Sequence, residues 1–457
     1  MTDALPEREA RFDPSQFETF RFTAREIADD GRVTLRYALD DAIEFVERFE
    51  LPVGTRVTDA DRERVDGLLA LLHWTAGVSY FKTAAPAAVR CEAGAPPPAT
   101  ARLLEALYSE GLGEFAYVNR LPRLPRPRFE PGAPDDALPS LAVAGGPRVL
   151  VPVGGGKDSV VAIEIARRSG RDVTLFHVGD APAITRTVAV AGLPHLLVRR
   201  QIDPGIGELN RAGALNGHVP ITAVVTSIAM LTAALHGCDT VAMANERSAS
   251  QGNVSWDGVD VNHQFSKGLR VERLLRAAVA ELAPGIETFS VLRPASELAI
   301  ARAFARLTDY HAAFTSCNAI FRLDPELRGT SWCLDCPKCR FVYLALAPFS
   351  EPSHLGEIFG GDMLDDESQF EGFALLTATG GNKPFECVGE EEESLAAIRL
   401  LADDPRWRDH RVVRRLVAEV LPAFPPDSGV PDSVLALGDD HEVPGPFLAD
   451  VNAFLGA

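Results

Sequence analysis

Positive charge is what this 457-residue chain lacks most: 45 Lys and Arg stand against 64 Asp and Glu, a formal net charge of −19. Such a surface repels nucleic-acid phosphates unless a local basic patch overcomes it, which weighs against a role on RNA or DNA. Long apolar runs are missing as well. The longest apolar-rich stretch, residues 219–235, is interrupted by Pro220, by threonines and by Ser227, so it reads as a buried helix and not as a membrane span. The first twenty residues are acidic and polar and carry no signal-peptide pattern. Cysteine is scarce, seven in all, and four of the seven fall within 317–339. That usage fits a metal site in a reducing cytoplasm better than a disulfide framework. What remains, 46% hydrophobic and 24% charged residues, is ordinary globular composition, and the length suits two or three domains.

The sharpest chemical content lies in residues 148–161, Arg-Val-Leu-Val-Pro-Val-Gly-Gly-Gly-Lys-Asp-Ser-Val-Val. The apolar run reads as a buried strand, the glycines as a turn, and the periodic run through Ala166 as a helix. Backbone N–H groups of Gly154, Gly155 and Gly156, the helix N-terminus and the ammonium of Lys157 would together cradle an anion. Ser159 adds a hydroxyl donor, and Asp158 suits a bound Mg²⁺ better than a bare phosphate. Three phosphate-loop patterns compete. G-x-x-x-x-G-K-[ST] fails twice, at Val151 and at Asp158. G-x-G-x-x-G/A meets Ser159 at its third small position. The third, S-G-G-x-D-S, is matched by Gly155-Gly156-Lys157-Asp158-Ser159 with Gly154 in place of serine. It resembles the loop of the PP-loop ATP pyrophosphatases, which cleave ATP to AMP and pyrophosphate. A glycine-rich turn without a ligand is the bland alternative, and the coincidence of strand, glycines, lysine and helix weighs against it.

Read in order, residues 1–125 form an N-terminal α+β domain with a strand pair within 17–39 and helices near 59–73 and 98–109. Residues 73–82 and 111–119 mix aromatic, small and polar groups; from chemistry alone, packing at a domain edge is favoured over a site for both. Residues 126–147 are proline-rich and read as a linker. Over 148–349 strands (148–153, 172–178, 195–199, 239–244, 286–292) alternate with helices (158–168, 184–191, 220–235, 267–282, 296–307). This predicts an α/β fold with a parallel sheet covered on both faces and ligands at the carboxyl ends of its strands. Two segments belong beside the glycine loop on that rule: 176–180, with His177, and 245–253, with Asn245, Glu246 and Arg247. Residues 350–457 lose the rhythm and read as mostly helical or irregular, with a helical run over 394–421. The acidic stretches 362–371 and 390–393 read as solvated faces. Residues 380–389 read as a loop with unusual polar content, and its Lys383–Cys387 portion is a weaker candidate for reaching into a neighbouring site.

Cys317, followed by Cys333, Cys336 and Cys339, offers four thiolates to one tetrahedral Zn²⁺. Four thiolates leave no open position, so the role is structural; an iron–sulfur cluster or a redox pair is the alternative. Cys238, after an apolar helix, reads as a core residue.

The glycine loop with a downstream cysteine cluster is similar to 7-cyano-7-deazaguanine synthase. The whole chain resembles a narrower family, the UDP-N-acetyl-α-D-muramoyl-L-alanyl-L-glutamate epimerases of peptidoglycan synthesis, through residues 77–82, 111–115, 151–159, 333–340 and 383–389. That resemblance implies a reaction that uses ATP and Mg²⁺. The terminal L-Glu is adenylated on the carboxylate beside its α carbon, which makes the α proton removable, and hydrolysis then restores the acid. Lys157, Asp158, Glu246, Arg247 and His263 are the catalytic candidates; the sequence does not identify the base, for which Glu246 and His263 are candidates by placement and Glu114, Tyr80 and Cys387 are candidates if the flanking domains close over the site. The nucleotide would be held by residues 154–159, His177 and Asn245. Tyr80, Lys82, Arg199 and Lys383 are expected at the substrate, and Arg199, Arg200, Arg211, Lys267 and Arg270 as a local cationic patch. The partner is a UDP-linked dipeptide, with no nucleic acid and no membrane. Two other classes stay open: a PP-loop enzyme that adenylates a small acid or base for amidation or thiolation, and a nucleotide-binding regulator without turnover.

Overall fold

The computed structural model describes residues 12–133, 147–321, 329–381 and 383–456. These form two compact units, each assembled from separate stretches of chain. The first takes the described residues up to 133 together with 198–236 and 277–285. The second takes 147–197, 237–276 and the described residues beyond 286. A linear division at 125 and 349 misses this, because segments late in the alternating region return to the N-terminal unit. Most of the proline-rich linker, residues 134–146, lies outside the described residues.

In the first unit, β1 (Thr19–Ile27), β2 (Arg32–Leu39) and β3 (Ile43–Glu50) form an antiparallel meander, and β4 (Ala88–Cys91) runs parallel to β1. Residues 199–201 pair antiparallel with β3 on its other edge. The sequence reading found two of these strands and missed β3. Its inward register is Phe45, Glu47, Phe49, and the buried Glu47 disguises the alternation. Glu47 is ion-paired to Arg200, which offsets the burial that pushes its carboxyl upward. Helix Asp59–Ala76 starts at a Thr58/Asp61 capping box and lies against helix Ile221–Leu235, where Thr75 Oγ1 donates to Ser227 Oγ at 3.0 Å. The expected buried helix over 220–235 is therefore present, in this unit. Its core is aromatic: Phe20, Phe22, Tyr37, Tyr80, Phe81 and Tyr108 are all buried, with Tyr37 and Tyr80 stacked at 4.8 Å.

The second unit holds β5 (Arg148–Pro152), β6 (Asp172–Val178), β7 (His195–Gln201, whose last residues pass into the first unit), β8 (Thr240–Met243) and β11 (Glu287–Ser290), in the order β11-β8-β5-β6-β7. The β5–β6, β5–β8 and β8–β11 pairs are all parallel. These strands are nearly continuous apolar runs, as a sheet covered on both faces requires. The chain moves outward on one side of β5 through β6 and β7, then returns to lay β8 on the other side. The direction of winding changes between β5 and β8, and a ligand crevice forms at the carboxyl ends there. After β8 a hairpin, β9 (Val254–Trp256) and β10 (Val259–Val261), turns on Asp257-Gly258, both at positive φ.

Residues beyond 350 have no separate core. Val412, Leu416 and Phe447 share one cluster with Val151, Ile163 and Leu298. The helical run expected over 394–421 is broken. Helix Glu391–Asp403 ends before Pro405, and the chain resumes helix at Arg411.

Candidate functional site

The glycine loop sits where β5 ends and helix Lys157–Arg168 begins. Gly155 has φ +80°, and a Cβ there would lie 2.7 Å from the Ala183 carbonyl carbon, so only glycine fits. A Cβ on Gly154 would meet nothing within 4 Å: that residue faces open space. The helix has no side-chain cap at its N-terminus, which leaves its first N–H groups for a ligand. Ser159, expected as a ligand donor, gives its hydroxyl to the Gly156 carbonyl at 2.9 Å. The loop is braced by Thr315, whose N–H donates to the Gly155 carbonyl at 3.0 Å.

Lys157 is 1% exposed and ion-paired to both Asp158 and Glu297, the latter from the start of helix Glu297–Ala305. Carboxylate oxygens of Asp158, Glu246 and Glu297 lie within 4.8 Å of one another. Burial opposes charge on Lys157, but Asp158 and Glu297 hold its pKa above the ordinary value. Burial and then Asp158 push Glu297 up to about 8, against the pull of Lys157. The two directions agree once charge is counted. The carboxylates keep the ammonium of Lys157 charged, while burial and the Asp158 charge favour the protonated form of Glu297. Oε1 of Glu246 is buried without a hydrogen-bond partner. An orphaned oxygen in a set of three carboxylates fits a hard divalent cation such as Mg²⁺.

Of the two segments expected beside the glycine loop, the one after β8 brings Glu246 to Asp158 and Glu297. His177 Nδ1 is bonded to the Gly179 carbonyl at 2.7 Å, and burial lowers its pKa. Asn245 is fixed through its backbone: its N–H donates to Ser290 Oγ at 2.7 Å, and that hydroxyl donates to its carbonyl at 2.6 Å. Arg247, expected beside the chemistry, is turned to the C-terminal segment and donates to the carbonyls of Val434 and Ala436, each at 3.1 Å. His263 follows the hairpin, and its backbone N–H donates to Asn253 Oδ1 at 2.9 Å. Lys383 is buried, its Nζ donates to Gln251 Oε1 at 3.1 Å, and burial lowers its pKa.

The solvated reading of 390–393 is corrected at Glu393, which is 3% exposed. Its carboxylate accepts from Ser248 Oγ at 2.6 Å and from the backbone N–H groups of Glu297 and Glu390 at 2.7 Å each. It caps its own helix and ties it to the start of helix Glu297–Ala305 and to the loop after β8. Burial raises its pKa to about 7.

Glu297 and Glu393 were not found from sequence, yet a signal existed. The chain has only five lysines, Lys82, Lys157, Lys267, Lys338 and Lys383. The four in the second unit all act electrostatically on Glu297. The remaining expected substrate residues belong to the first unit. Tyr80 is wholly buried in the aromatic core. Lys82 donates to Asn216 Oδ1, and burial lowers its pKa to about 8. Arg199 is exposed and lines a cavity of about 440 Å³ with Arg48, Glu50 and Arg200.

The four clustered cysteines converge. Their sulfurs all lie within 4.8 Å of one another, with Cys333–Cys339 at 3.7 Å and Cys336–Cys339 at 3.5 Å. Tetrahedral Zn–S bonds of ~2.3 Å place sulfurs ~3.8 Å apart. Leu334 takes a positive φ, and N–H groups of Cys336 and Cys339 donate to the sulfurs of Cys333 and Cys336. The donor set therefore fits zinc. Cys238 is a core residue, 1% exposed.

This arrangement defines an α/β protein with a lysine-bearing glycine loop and a carboxylate cluster at the switch point of a parallel sheet, accompanied by a four-thiolate centre. Two family models match the chain: the MurL N-terminal domain over residues 11–291 and the MurL C-terminal domain over 313–428. Three relatives carry the name UDP-N-acetyl-alpha-D-muramoyl-L-alanyl-L-glutamate epimerase. The protein of Salinispora tropica is 45% identical over 90% of this chain and 89% of its own length. That of Micromonospora sp. is 45% identical over 91% and 94%, and that of Xanthomonas oryzae pv. oryzae 41% over 95% and 96%. The chain belongs to the MurL family, a family of epimerases and hence of isomerases. Among the described residues no helix is long and apolar enough to cross a membrane.

Proposed function

We propose that this chain inverts the terminal L-Glu of UDP-N-acetylmuramoyl-L-alanyl-L-glutamate to D-Glu for peptidoglycan synthesis, through an acyl adenylate. The observation that carries the adenylating part is the glycine loop: an open Gly154, an uncapped helix N-terminus and buried Lys157 at the switch point of the sheet, in a chain of an epimerase family.

A free carboxylate makes the neighbouring α proton very weakly acidic, because the carbanion would form beside an anion. In the proposed reaction an oxygen of that carboxylate attacks the α phosphorus of ATP, and pyrophosphate leaves. The loop N–H groups and Lys157 hold the phosphate charge as it moves to the leaving group. The acyl adenylate is uncharged at the carbonyl and withdraws electrons, so the α proton can be removed and replaced. Water then cleaves the adenylate, giving AMP and the inverted acid. Asp158, Glu246 and Glu297 would hold Mg²⁺, which supplies charge neutralisation on the phosphates. Cys317, Cys333, Cys336 and Cys339 would hold a structural Zn²⁺ bracing the segment before helix Pro337–Leu346.

The test is to incubate the UDP-linked dipeptide with ATP and Mg²⁺ in deuterated water and then hydrolyse it. The expected product is D-Glu with deuterium at the α carbon, accompanied by AMP and pyrophosphate. Inversion without ATP would separate the loop from the chemistry. AMP release with glutamate still L and unlabelled would point to an amidating or thiolating enzyme, and absence of inversion under all conditions would remove the epimerase reading.

A further inference from the structure

Arg293 is among the largest fully buried side chains of the chain, 1% exposed, and the reaction proposed above does not use it. Its guanidinium binds three segments at once. Nε and Nη2 donate to Glu272 Oε2 at 3.1 and 2.8 Å, Nη1 donates to the Glu246 carbonyl at 2.5 Å, and Nη2 donates also to the Lys267 carbonyl. Glu272, in the first turn of helix Leu269–Leu282, accepts the Ser290 N–H on its other oxygen at 3.1 Å. The fork thus joins the end of β11, the loop after β8 and the turn before that helix. A backbone bond from the Arg247 N–H to the Ala295 carbonyl, 2.9 Å, closes the same joint.

The three clustered carboxylates come from three elements: Asp158 from the helix after the glycine loop, Glu246 from the loop after β8, and Glu297 from the helix after β11. Lys157 ion-pairs with Asp158 and Glu297. Glu297 is also held through its N–H by Glu393. Glu246 is held through its carbonyl by Arg293, while Oε1 of its own carboxylate is buried without a partner. Resting on the Mg²⁺ assignment in the function proposed above, we propose that Arg293 is a positioning residue: it fixes the backbone of Glu246 so that the carboxylate is presented, beside Asp158 and Glu297, to a divalent cation.

The task calls for a guanidinium. Glu272 takes the Nε and Nη2 edge of the planar fork, which sets the direction of Nη1 towards Glu246. Arg293→Lys keeps a cation for Glu272, but one nitrogen on a flexible stem does not reproduce the fixed fork that spans the Glu246 and Lys267 carbonyls. Groups that orient a metal ligand without touching the metal act on affinity, because the site must otherwise be assembled from misaligned parts.

The test titrates full-length chains with Mn²⁺, a carboxylate-seeking stand-in for Mg²⁺, and reads free Mn²⁺ by electron paramagnetic resonance. Glu246→Gln marks which binding belongs to the cluster. Two variants remove the fork: Arg293→Lys, and Arg293→Met combined with Glu272→Gln, which leaves no unpaired buried charge and keeps an acceptor for the Ser290 N–H. Glu272→Gln alone keeps the guanidinium on both carbonyls. Circular dichroism melts confirm that each chain is folded at the titration temperature. Both fork variants should bind Mn²⁺ roughly 10–100-fold more weakly, while Glu272→Gln matches the wild type. Pyrophosphate–ATP exchange in the fork variants should need correspondingly more Mg²⁺ and recover at saturating Mg²⁺, a split that a general loss of structure does not give. Wild-type Mn²⁺ affinity in a folded fork variant would overturn the proposal. So would equal loss in Glu272→Gln, unfolding of both fork variants, or a wild-type chain with no Mn²⁺ binding sensitive to Glu246→Gln. If the wild-type chain binds Mn²⁺ at the cluster but exchanges no pyrophosphate, the adenylation reading fails, and Arg293 is still judged by the Mn²⁺ affinities.

Discussion

Replacing Glu393 with glutamine should remove one pH-dependent contribution to the stability of the chain. Glu393 is 3% exposed, and burial lifts its pKa from an ordinary 4.5 to about 7. A carboxyl whose folded pKa is raised binds its proton more tightly in the folded chain. Its contribution is therefore intact below pH 4.5 and is lost as pH rises through about 7. From that shift the loss is under about 1 kcal/mol at pH 5 and about 3 kcal/mol at pH 8, at about 1.4 kcal/mol per pH unit between the two pKa values. Glutamine carries no charge at either pH. Its oxygen can still accept from Ser248 and from the Glu297 N–H, but its amide NH₂ then faces the Glu390 N–H that the carboxylate accepted. That exchange costs about 1–3 kcal/mol. Glu393→Gln should therefore be the less stable chain at pH 5 and equal or exceed the wild type at pH 8. Urea unfolding followed by circular dichroism at pH 5, 6, 7 and 8 measures the difference. A difference that does not change with pH would show that Glu393 titrates normally, and the buried-keystone reading would be wrong.

Lys157→Ala should abolish dipeptide-dependent pyrophosphate release and also destabilise the chain by about 3–5 kcal/mol, because it leaves buried Asp158 and Glu297 facing one another uncompensated. Adding Glu297→Ala should restore most of the stability and none of the turnover, a pattern read by urea melts beside a pyrophosphate assay. Elemental analysis should find about one zinc per chain, and Cys336→Ser should remove it and lower the melting temperature more than it changes any chemical step; iron with visible absorbance in its place would refute the assignment.

Local pattern explains what was legible in the sequence. The glycine loop, the alternating strands and helices of 148–307 and the cysteine spacing are all written within a few consecutive residues. The structure places each of these elements within a few residues of its expected bounds. What sequence reading missed depends on residues far apart. Glu297 meets Lys157 across 140 positions, and its N–H meets Glu393 across 96. No periodicity marks Glu297 as anything other than a good first-turn residue after Ser296. Glu393 sits in a run of four glutamates that solvation explains well, until the loop after β8 is found packed on it. Glu47 is the same case in the first unit: an inward carboxylate looks like an outward one until Arg200 is known to face it.

The lysines show how such a site can still leave a trace. This chain makes its peripheral ion pairs with arginine: Arg21 with Asp41, Arg62 with Asp59, Arg406 with Glu351. Arginine suits that task, since its planar fork stays charged and binds carboxylates in two-point fashion. It does not suit a crowded set of carboxylates that, on the function proposed above, also admits a phosphate and a divalent cation. There a compact point charge on a flexible stem can neutralise without occupying several acceptor oxygens at once. Lys157, Lys267, Lys338 and Lys383 all act on Glu297, and two of them, Lys267 and Lys338, also act on Cys387. Once arginine has taken over the surface, a residue type that survives at only five positions is concentrated where its particular chemistry is needed. The shortage of positive charge and the location of the carboxylate cluster are thus one feature of the sequence, because four of the five lysines of an acidic chain act on a single buried carboxyl.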